Sequence, residues 1–436
     1  MRAWSTLRTF GSSLSPPRLP RGHEQGRETK AVWKLDRVLI SLLGGLYLCS
    51  YMDWGNVGNA YTASMGKSWD IISSQYSMVV TIYYIAYTCF HWLILAWKVV
   101  PLPDGGVALD MIQASTVKYT GLLVCRILVG IFEAGFVPAI TLYLSFFYHR
   151  REMGLRYGLF ISYSPFANAL APAIAYGVGA PTIVLAAIAY FYLPNGPIEC
   201  PFLSERSNFI IGQRAVIGRG RDQGKKINFE QAFAAFYDCK NYLLNTAFGS
   251  PPAHLPAILA NMGFSAIQPE GLSEIPYLSA CVFCITLSFI SDYFQLRGLF
   301  IAFFAALGGA EYVILAVVTN NAVCFFAFAI CAGNSQQSLT FTWVTNNQRS
   351  SSKRGVGLAI FGMIGQCGPL LGARLFPSIQ GPIVLFGAAV CSIILRQLVS
   401  LENARRDREH GSSDPQYASP DIADQGDEHP IYRFVL

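Results

Sequence analysis

The feature that most constrains this chain is a stretch of 42 residues, from Tyr157 to Ile198, that contains no Asp, Glu, Lys or Arg. A second stretch, between Arg297 and Arg349, contains one acidic residue, Glu311, and no basic residue. Apolar runs of about 18 residues or more are typical of membrane-spanning helices. In the whole chain 13% of the residues are charged, whereas soluble domains carry about 25%. The sequence therefore predicts a polytopic membrane protein and argues against a soluble enzyme, a secreted disulfide scaffold or a disordered regulator.

Eleven candidate membrane-spanning helices follow from the apolar runs. They are 38–62, 71–97, 119–148, two within 157–198, 242–260, 275–291, 298–318, 322–344, 355–375 and 381–399. Basic residues accumulate in cytoplasmic loops, so consecutive basic clusters are separated by an even number of crossings. Only the part between Arg37 and Arg150 breaks this parity, because it holds three candidates and the polar stretch 98–118 is too short for a fourth. We predict an all-α polytopic fold of about 11–12 transmembrane helices, with the third and the proline-rich seventh damaged or short.

Two basic loops resemble each other across the chain. One reads RREMGLRYGLF (150–160) and follows the candidate helix 119–148, the fourth in a twelve-helix count. The other reads KRGVGLAIF (353–361) and follows 322–344, the tenth in that count. This repetition indicates a duplicated six-helix unit, and parallel repeats around a central pathway are typical of transporters. The predicted organisation is a cytoplasmic N-terminal tail (1–37), a first helix bundle (38–193), a cytoplasmic central loop (194–240), a second helix bundle (241–400) and a disordered cytoplasmic tail (401–436).

Four segments resemble signatures of the major facilitator superfamily, in its fungal anion:cation symporter branch of allantoate permease-like carriers. They are YMDWGNVGNA (51–60) in the first span, LLVCRILVGIFEAGF (122–136) in the fourth, SDYFQLRG (291–298) between spans eight and nine, and TWVTNN (342–347) at the end of the tenth. The resemblance covers most of the chain and implies the two-bundle fold of that superfamily.

The resemblance also implies a function, namely secondary active transport of small organic anions such as carboxylates or vitamins, by alternating access with proton-coupled symport. It implies a monomer in the plasma membrane whose partners are the anion, protons and the lipid bilayer. The chain departs from the family at Trp54, where the family has Arg, and in 98–110, which lacks the expected Gly/Asp/Arg loop. Two alternatives to an active carrier therefore stay open: a transport-inactive degenerate or incomplete carrier, and a membrane-bound enzyme or receptor.

Arg126 and Glu133 are the strongest candidate site residues. They are seven residues apart in one predicted helix, which is two turns, and therefore lie on one face. A charge within a span costs at least about 2.5 kcal/mol on insertion scales and is usually functional or paired. We expect Arg126 to hold a substrate carboxylate by a forked hydrogen bond and Glu133 to carry the coupled proton. The alternative is that both residues serve packing between helices.

Further polar candidates lie in the first, tenth and eleventh spans. Asp53 is a second candidate proton carrier, with a solvated helix end as the alternative, and Asn56 shares its helix face as a candidate substrate ligand. Gln366 is a candidate ligand in the middle of its span. Asn346 and Asn347 complete the predicted substrate-binding set as an inner-gate pair, with a helix C-cap as the alternative.

Asp292 and Arg297 form the predicted conformational loop, in which an ion pair locks one access state. The alternative for Arg297 is a solvated positive-inside charge. Three tyrosines place hydroxyls at helical spacing in the second span and are predicted to pack as aromatic side chains, with a binding role as the alternative: Tyr83, Tyr84 and Tyr87.

No cofactor, metal site or nucleic-acid partner is predicted. Cys281 and Cys284 have the spacing of a metal or redox pair, but they lie in a charge-free span without a second pair, which favours buried thiols. The basic residues sit in short clusters between apolar runs, and the sequence contains no HExxH, GxSxG or GxxxxGK[ST] motif. The sequence therefore argues against an enzyme.

Overall fold

Helices make up most of the described part of the chain. The structure, a computed structural model, describes residues 22–60, 73–91, 119–170, 184–185, 188–189, 192–194, 196–197, 200–219, 229–238, 241–242, 268–318, 320, 323, 335–348, 350–375, 380–411 and 432–436. Within these ranges no strand is present. A helix bonds its backbone N–H and C=O groups within one segment, as a lipid environment requires. The predicted all-α class is confirmed.

Six helices and one π-helical turn precede the central segment. They are α1 (Gly22–Leu35), the π-helical turn Asp36–Ile40, α2 (Ser41–Ala60), α3 (Ser73–Cys89), α4 (Tyr119–Glu133), α5 (Phe136–Phe147) and α6 (Met153–Leu170). The helices that follow are α7 (Glu205–Arg219), α8 (Phe229–Tyr237), α9 (Gln268–Phe294), α10 (Arg297–Val317), α11 (Ser335–Asn346), α12 (Ser351–Leu375) and α13 (Gln380–His410). We call α1–α6 the first half and α9–α13 the second half.

Three helical stretches in the described ranges are long and apolar enough, by length and composition alone, to cross a membrane. They are Gly26–Met52, Tyr119–Phe147 and Glu274–Phe294. Each overlaps a span predicted from the sequence. The middle stretch is interrupted after Glu133, where Ala134 and Gly135 form a turn between α4 and α5.

The two halves pack against each other through α6 and α9. Gly158 of α6 permits their close approach, because a Cβ atom at this position would collide with Ser288 Oγ of α9. The thiol of Cys284 in α9 donates to the Gly158 carbonyl oxygen at 3.5 Å. Small residues at such contacts let membrane helices approach closely enough for extensive van der Waals packing. A second contact joins α3 to α12, where the ring of His91 occupies the space beside Gly362.

The main apolar core lies at the end of the molecule that carries the basic loops, which we call the cytoplasmic side after the location predicted for those loops. It contains Phe147 and Tyr157 from the first half together with Trp343 and Phe361 from the second. The ring of Phe341 lies 5.6 Å from Tyr157 and 4.6 Å from Phe361, measured between centroids, within the range of favourable aromatic pairs. On this side the two halves therefore share one core.

The segments predicted to lie outside the membrane are more ordered than the sequence suggests. The predicted central loop, 194–240, holds α7 and α8, and the predicted N-terminal tail holds α1. The structure differs most from the predicted disordered tail, 401–436, because α13 continues to His410 and Tyr432–Val435 is buried. The stretch 98–118, where a twelve-helix count places the third membrane helix, lies outside the described residues. So does nearly all of 242–260, the seventh in that count.

Replacement of Gly158 tests the close approach of α6 and α9. We expect G158A to destabilise the fold by about 1–3 kcal/mol, the usual cost of overpacking, because the new methyl group must displace Ser288. Thermal unfolding of the purified protein in detergent measures the effect. The matched control is G387A in α13, where an added Cβ atom meets nothing within 4 Å. Equal melting temperatures for G158A and G387A would contradict the predicted contact.

Candidate functional site

The carboxylate of Glu133 joins three helices of the first half. Glu133 is the last residue of α4. Its two carboxylate oxygens accept hydrogen bonds at 2.7 Å, one from Ser50 Oγ of α2 and one from Tyr83 Oη of α3. Both donors are neutral hydroxyl groups. A hydroxyl can donate to a carboxylate and also accept from a carboxylic acid, so this arrangement can satisfy Glu133 in either protonation state.

Arg126 lies on the same face of α4, as its spacing from Glu133 predicts. Its side chain is buried, and its guanidinium carbon lies 5.7 Å from the ring centroid of Tyr83. This distance is within reach of a cation–π interaction. Arg126 also interacts electrostatically with Glu133. The structure therefore brings the two predicted residues together around Tyr83, whose ring faces Arg126 and whose hydroxyl binds Glu133.

A row of aromatic side chains leads from this site to the second half. The ring of Tyr87 lies 5.8 Å from Tyr83 and 4.9 Å from His91, measured between centroids. The His91 Nδ1 atom lies 3.2 Å from the Tyr87 carbonyl oxygen. His91 is buried and packs against Gly362 of α12. Contacts are therefore continuous from Glu133 to the second half.

Asp292 and Arg297 form the predicted ion pair, and that pair joins the two halves. Arg297 Nη2 lies 2.6 Å from Asp292 Oδ1 and also donates to the Arg150 carbonyl oxygen at 2.8 Å. The backbone N–H of Leu155 donates to Asp292 Oδ2 at 2.6 Å. Arg297 has no exposed surface, so the solvated-charge alternative does not describe it. The loop between α5 and α6 therefore binds the loop between α9 and α10.

Asn346 and Asn347 contribute to the same cytoplasmic closure. Asn346 Nδ2 donates to the Arg150 carbonyl oxygen at 2.9 Å. Asn347 Nδ2 donates to the Val435 carbonyl oxygen at 3.1 Å. Both side chains are buried. Both asparagines therefore make contacts beyond their own helix, and their role as an inner-gate pair stays a prediction.

Further charged residues tie the first half together on the cytoplasmic side. Arg156 of α6 pairs with Asp36 at 3.1 Å between Nη2 and Oδ2. Burial lowers the pKa of Arg156, but the carboxylates of Asp36 and Glu152 raise it by more, so the pKa lies above its ordinary value. Arg214 of α7 binds Glu152 at 2.5 Å and Glu28 of α1 at 3.2 Å. The charges therefore connect α1, α6 and α7.

Three predicted site residues can be placed only by their helices. Asp53 and Asn56 belong to the last turns of α2, and Gln366 belongs to α12. Their side chains lie outside the described residues. No cluster of three or more metal-ligating side chains occurs in the part of the chain that the structure describes.

The structure adds residues that the sequence analysis did not select. Ser50 carries no sequence signal, because a serine in an apolar span is common. Tyr83 was expected mainly to pack, with a binding role as the alternative, and its hydroxyl binds Glu133. Arg354 is buried and donates to Ser145 Oγ at 3.0 Å, which joins α12 to α5. Its place in the repeated basic loop could have suggested such a contact.

The buried ion pair gives a stability prediction. We expect D292N to destabilise the protein by about 3–5 kcal/mol, because it leaves the buried charge of Arg297 without its partner. Thermal unfolding in detergent measures the loss. The matched control is E409Q, which removes an exposed carboxylate that lies 3.9 Å from Arg405 and should cost less than about 1 kcal/mol. A D292N protein as stable as E409Q would refute this account of the junction.

Comparisons with known proteins agree on one family. Residues 105–373 match the model of the Major Facilitator Superfamily. The MFS-type transporter efuF of Hormonema carpetanum is 26% identical over 80% of this chain and 78% of its own length. The high-affinity nicotinic acid transporter of Saccharomyces cerevisiae is also 26% identical, over 83% of this chain and 74% of its own length.

A solved structure shows the same fold. The proton:xylose symporter XylE, bound to 6-bromo-6-deoxy-D-glucose, aligns with a TM-score of 0.61. The alignment covers 88% of this chain and 97% of that protein, at 12% sequence identity. The predicted two-half helical architecture is therefore shared with a protein of very different sequence.

Proposed function

Because the chain belongs to the Major Facilitator Superfamily, we propose that it is a proton-coupled symporter of small organic anions. As a member of this family it is an integral membrane transporter and not an enzyme. The anion class, the coupling to protons, the allantoate permease-like branch and the plasma-membrane location are parts of the proposal. The arrangement of Arg126, Glu133 and Tyr83 supports it most directly.

Arg126 supplies the chemistry that an anion needs. A guanidinium group presents parallel N–H donors that match the two oxygens of a carboxylate. Arg126 is buried in α4 beside the ring of Tyr83, so its attraction to an anion is weakly screened. A carboxylate bound here would therefore gain both charge-assisted hydrogen bonds and an aromatic neighbour.

Glu133 supplies the means of coupling. When Glu133 is ionised, its charge compensates Arg126, and a second anion is disfavoured. A proton on Glu133 removes this compensation and leaves Arg126 able to take the substrate carboxylate. Ser50 and Tyr83 can satisfy the group in both states, so protonation leaves neither carboxyl oxygen of Glu133 without a partner. Proton and anion would therefore favour each other's binding, as reciprocal linkage requires.

The contacts between the two halves are the part of the structure that would change during transport. The row from Tyr83 through Tyr87 to His91 connects the charged site to Gly362 of the second half. The Asp292–Arg297 pair holds the cytoplasmic ends of the halves together. Alternating access requires such contacts to have two discrete arrangements that substrate and proton can bias. Breaking the cytoplasmic junction would be the step that releases the anion into the cell.

A nicotinate-sized aromatic carboxylate is the substrate that we propose to test first. The relative from Saccharomyces cerevisiae is named for nicotinic acid. In this chain the buried cation lies beside the ring of Tyr83, which in turn contacts the ring of Tyr87. Such a site offers a carboxylate partner and stacking surfaces to one small planar molecule.

Removal of Arg126 tests substrate binding. We expect R126A to lower kcat/KM for carboxylate uptake by at least about tenfold, since hydrogen bonds to charged groups contribute about 1.5–3 kcal/mol. Uptake of labelled nicotinate and other carboxylates into proteoliposomes with an inward proton gradient measures the effect. The matched control is R405A, which removes an exposed arginine of α13 and should leave uptake unchanged. Unaltered uptake by R126A would exclude the proposed role of Arg126.

Replacement of Glu133 tests proton coupling. Because glutamine imitates the protonated acid, we expect E133Q to retain exchange of labelled for unlabelled substrate and to lose accumulation driven by a proton gradient. Wild-type uptake should fall as external pH rises, since the protonated form binds the anion, whereas exchange by E133Q should not. Gradient-driven accumulation by E133Q would contradict the assignment. A folded wild-type protein that moves no carboxylate would favour the transport-inactive alternative.

A further inference from the structure

The segment Tyr432–Leu436 lies in a groove at the cytoplasmic junction of the two halves. Tyr432, Arg433, Phe434 and Val435 each expose less than a tenth of their surface. We propose that this groove is a peptide-binding site for the chain's own segment, and that the bound segment holds the cytoplasmic side closed. The inference depends on the fold and not on the identity of the substrate.

Two asparagine side chains recognise the backbone of the segment. Asn347 accepts from the Val435 N–H at 2.7 Å and donates to the Val435 carbonyl oxygen at 3.1 Å. Asn403 accepts from the Phe434 N–H at 2.9 Å and donates to the Phe434 carbonyl oxygen at 2.9 Å. Trp343 Nε1 is a second donor to the Val435 carbonyl oxygen, at 2.7 Å. Paired donors and acceptors of this kind bind an extended peptide as a neighbouring strand would.

The side chains of the segment provide specificity. The guanidinium carbon of Arg150 lies 4.5 Å from the ring centroid of Tyr432, and that of Arg406 lies 5.0 Å from the ring centroid of Phe434. The Tyr432 hydroxyl donates to the Asn346 carbonyl oxygen at 3.1 Å. Cation–π contacts are strengthened where water is excluded. An aromatic residue is therefore required at each of these two positions.

A central arginine anchors the segment to the last helix. Arg433 Nε lies 2.7 Å from Asp407 Oδ1, and Arg433 Nη2 donates to the Gly411 carbonyl oxygen at 2.7 Å. The segment therefore combines a central cation with two flanking rings, and the groove supplies a carboxylate and two arginines in matching places.

The bound segment touches both halves of the molecule. Its contacts to Trp343, Asn347 and Asn403 belong to the second half, whereas Arg150 belongs to the loop between α5 and α6 of the first. The carbonyl oxygen of Arg150 already accepts from Arg297. Arg150 therefore holds both contacts: its carbonyl oxygen binds Arg297 of the second half, and its side chain binds Tyr432 of the segment. Opening the cytoplasmic side must either break these contacts or release the segment.

This geometry predicts an autoinhibited resting state. A carrier must separate its halves on the cytoplasmic side in every cycle, and any group that binds only the closed state shifts the population towards closure. The segment would therefore slow opening as long as it is bound. Its release would speed opening without any change at Arg126 or Glu133.

Thiol labelling of a buried reporter tests the proposal in the full chain. The reporter is S145C, because Ser145 has no exposed surface and bonds Arg354 of the other half. In Y432A/F434A we expect a maleimide to label this thiol about tenfold faster, since the two cation–π contacts with Arg150 and Arg406 are lost. The labelling of the same chain without S145C, which comes from its native cysteines, is subtracted as background. The control Y237A removes an aromatic side chain that is 89% exposed and should leave the rate unchanged.

A peptide added in trans separates recognition from a general loss of stability. A chain without 432–436 should label quickly, and synthetic Tyr-Arg-Phe-Val-Leu should restore protection while a scrambled pentapeptide does not. An unchanged labelling rate in Y432A/F434A would overturn the proposal, as would equal protection by the two peptides. Because this readout needs no substrate, faster labelling in a protein that carries no carboxylate would leave this inference standing and refute the proposed transport function.

Discussion

The rest of the structure depends on the compensation of Arg297, a charged side chain that has no contact with water. Its partners are the Asp292 carboxylate five residues earlier and a carbonyl oxygen of Arg150 in the other half. A buried charge without partners is too costly to keep, so the pairing requires the α5–α6 loop to approach the α9–α10 loop. The shared aromatic core and the groove for Tyr432–Leu436 lie around this contact. The cytoplasmic side is therefore closed by polar contacts and sealed by apolar packing.

The two halves differ in where their charged residues lie on the cytoplasmic side. The second half uses a compact loop between α9 and α10, with Asp292 and Arg297 at its ends. In the first half Arg156 of α6 binds Asp36, and Arg214 of the neighbouring α7 binds Glu152 and Glu28 of α1. The duplication that the sequence predicts is thus accompanied by an unequal distribution of charge. Segments predicted as tail and central loop take part in holding the first half in place.

Sequence reasoning was most successful where the information lies within one helix. The separation of Arg126 from Glu133 by seven residues sets a common face whatever surrounds the helix, and the structure shows that face turned towards α3. The same reasoning did not find Ser50 or the role of the Tyr83 hydroxyl. Both belong to other helices, and the rotation and depth of a neighbouring helix follow from packing, which no local pattern contains. The fold class follows from the length and apolar character of the predicted spans alone, so it could be predicted without knowing how the helices pack.

The sequence by itself determined that this chain is a membrane-embedded helical protein, because charge-free runs of this length are typical of helices that satisfy their backbone within lipid. The tertiary structure alone decided which polar groups meet. Residues 401–436 carry the charged composition of a solvated tail, yet Tyr432 and Phe434 are buried because the folded halves present arginines and asparagines at matching positions. Such complementarity is a property of surfaces assembled from distant parts of the chain, so it exists only once the helices have packed.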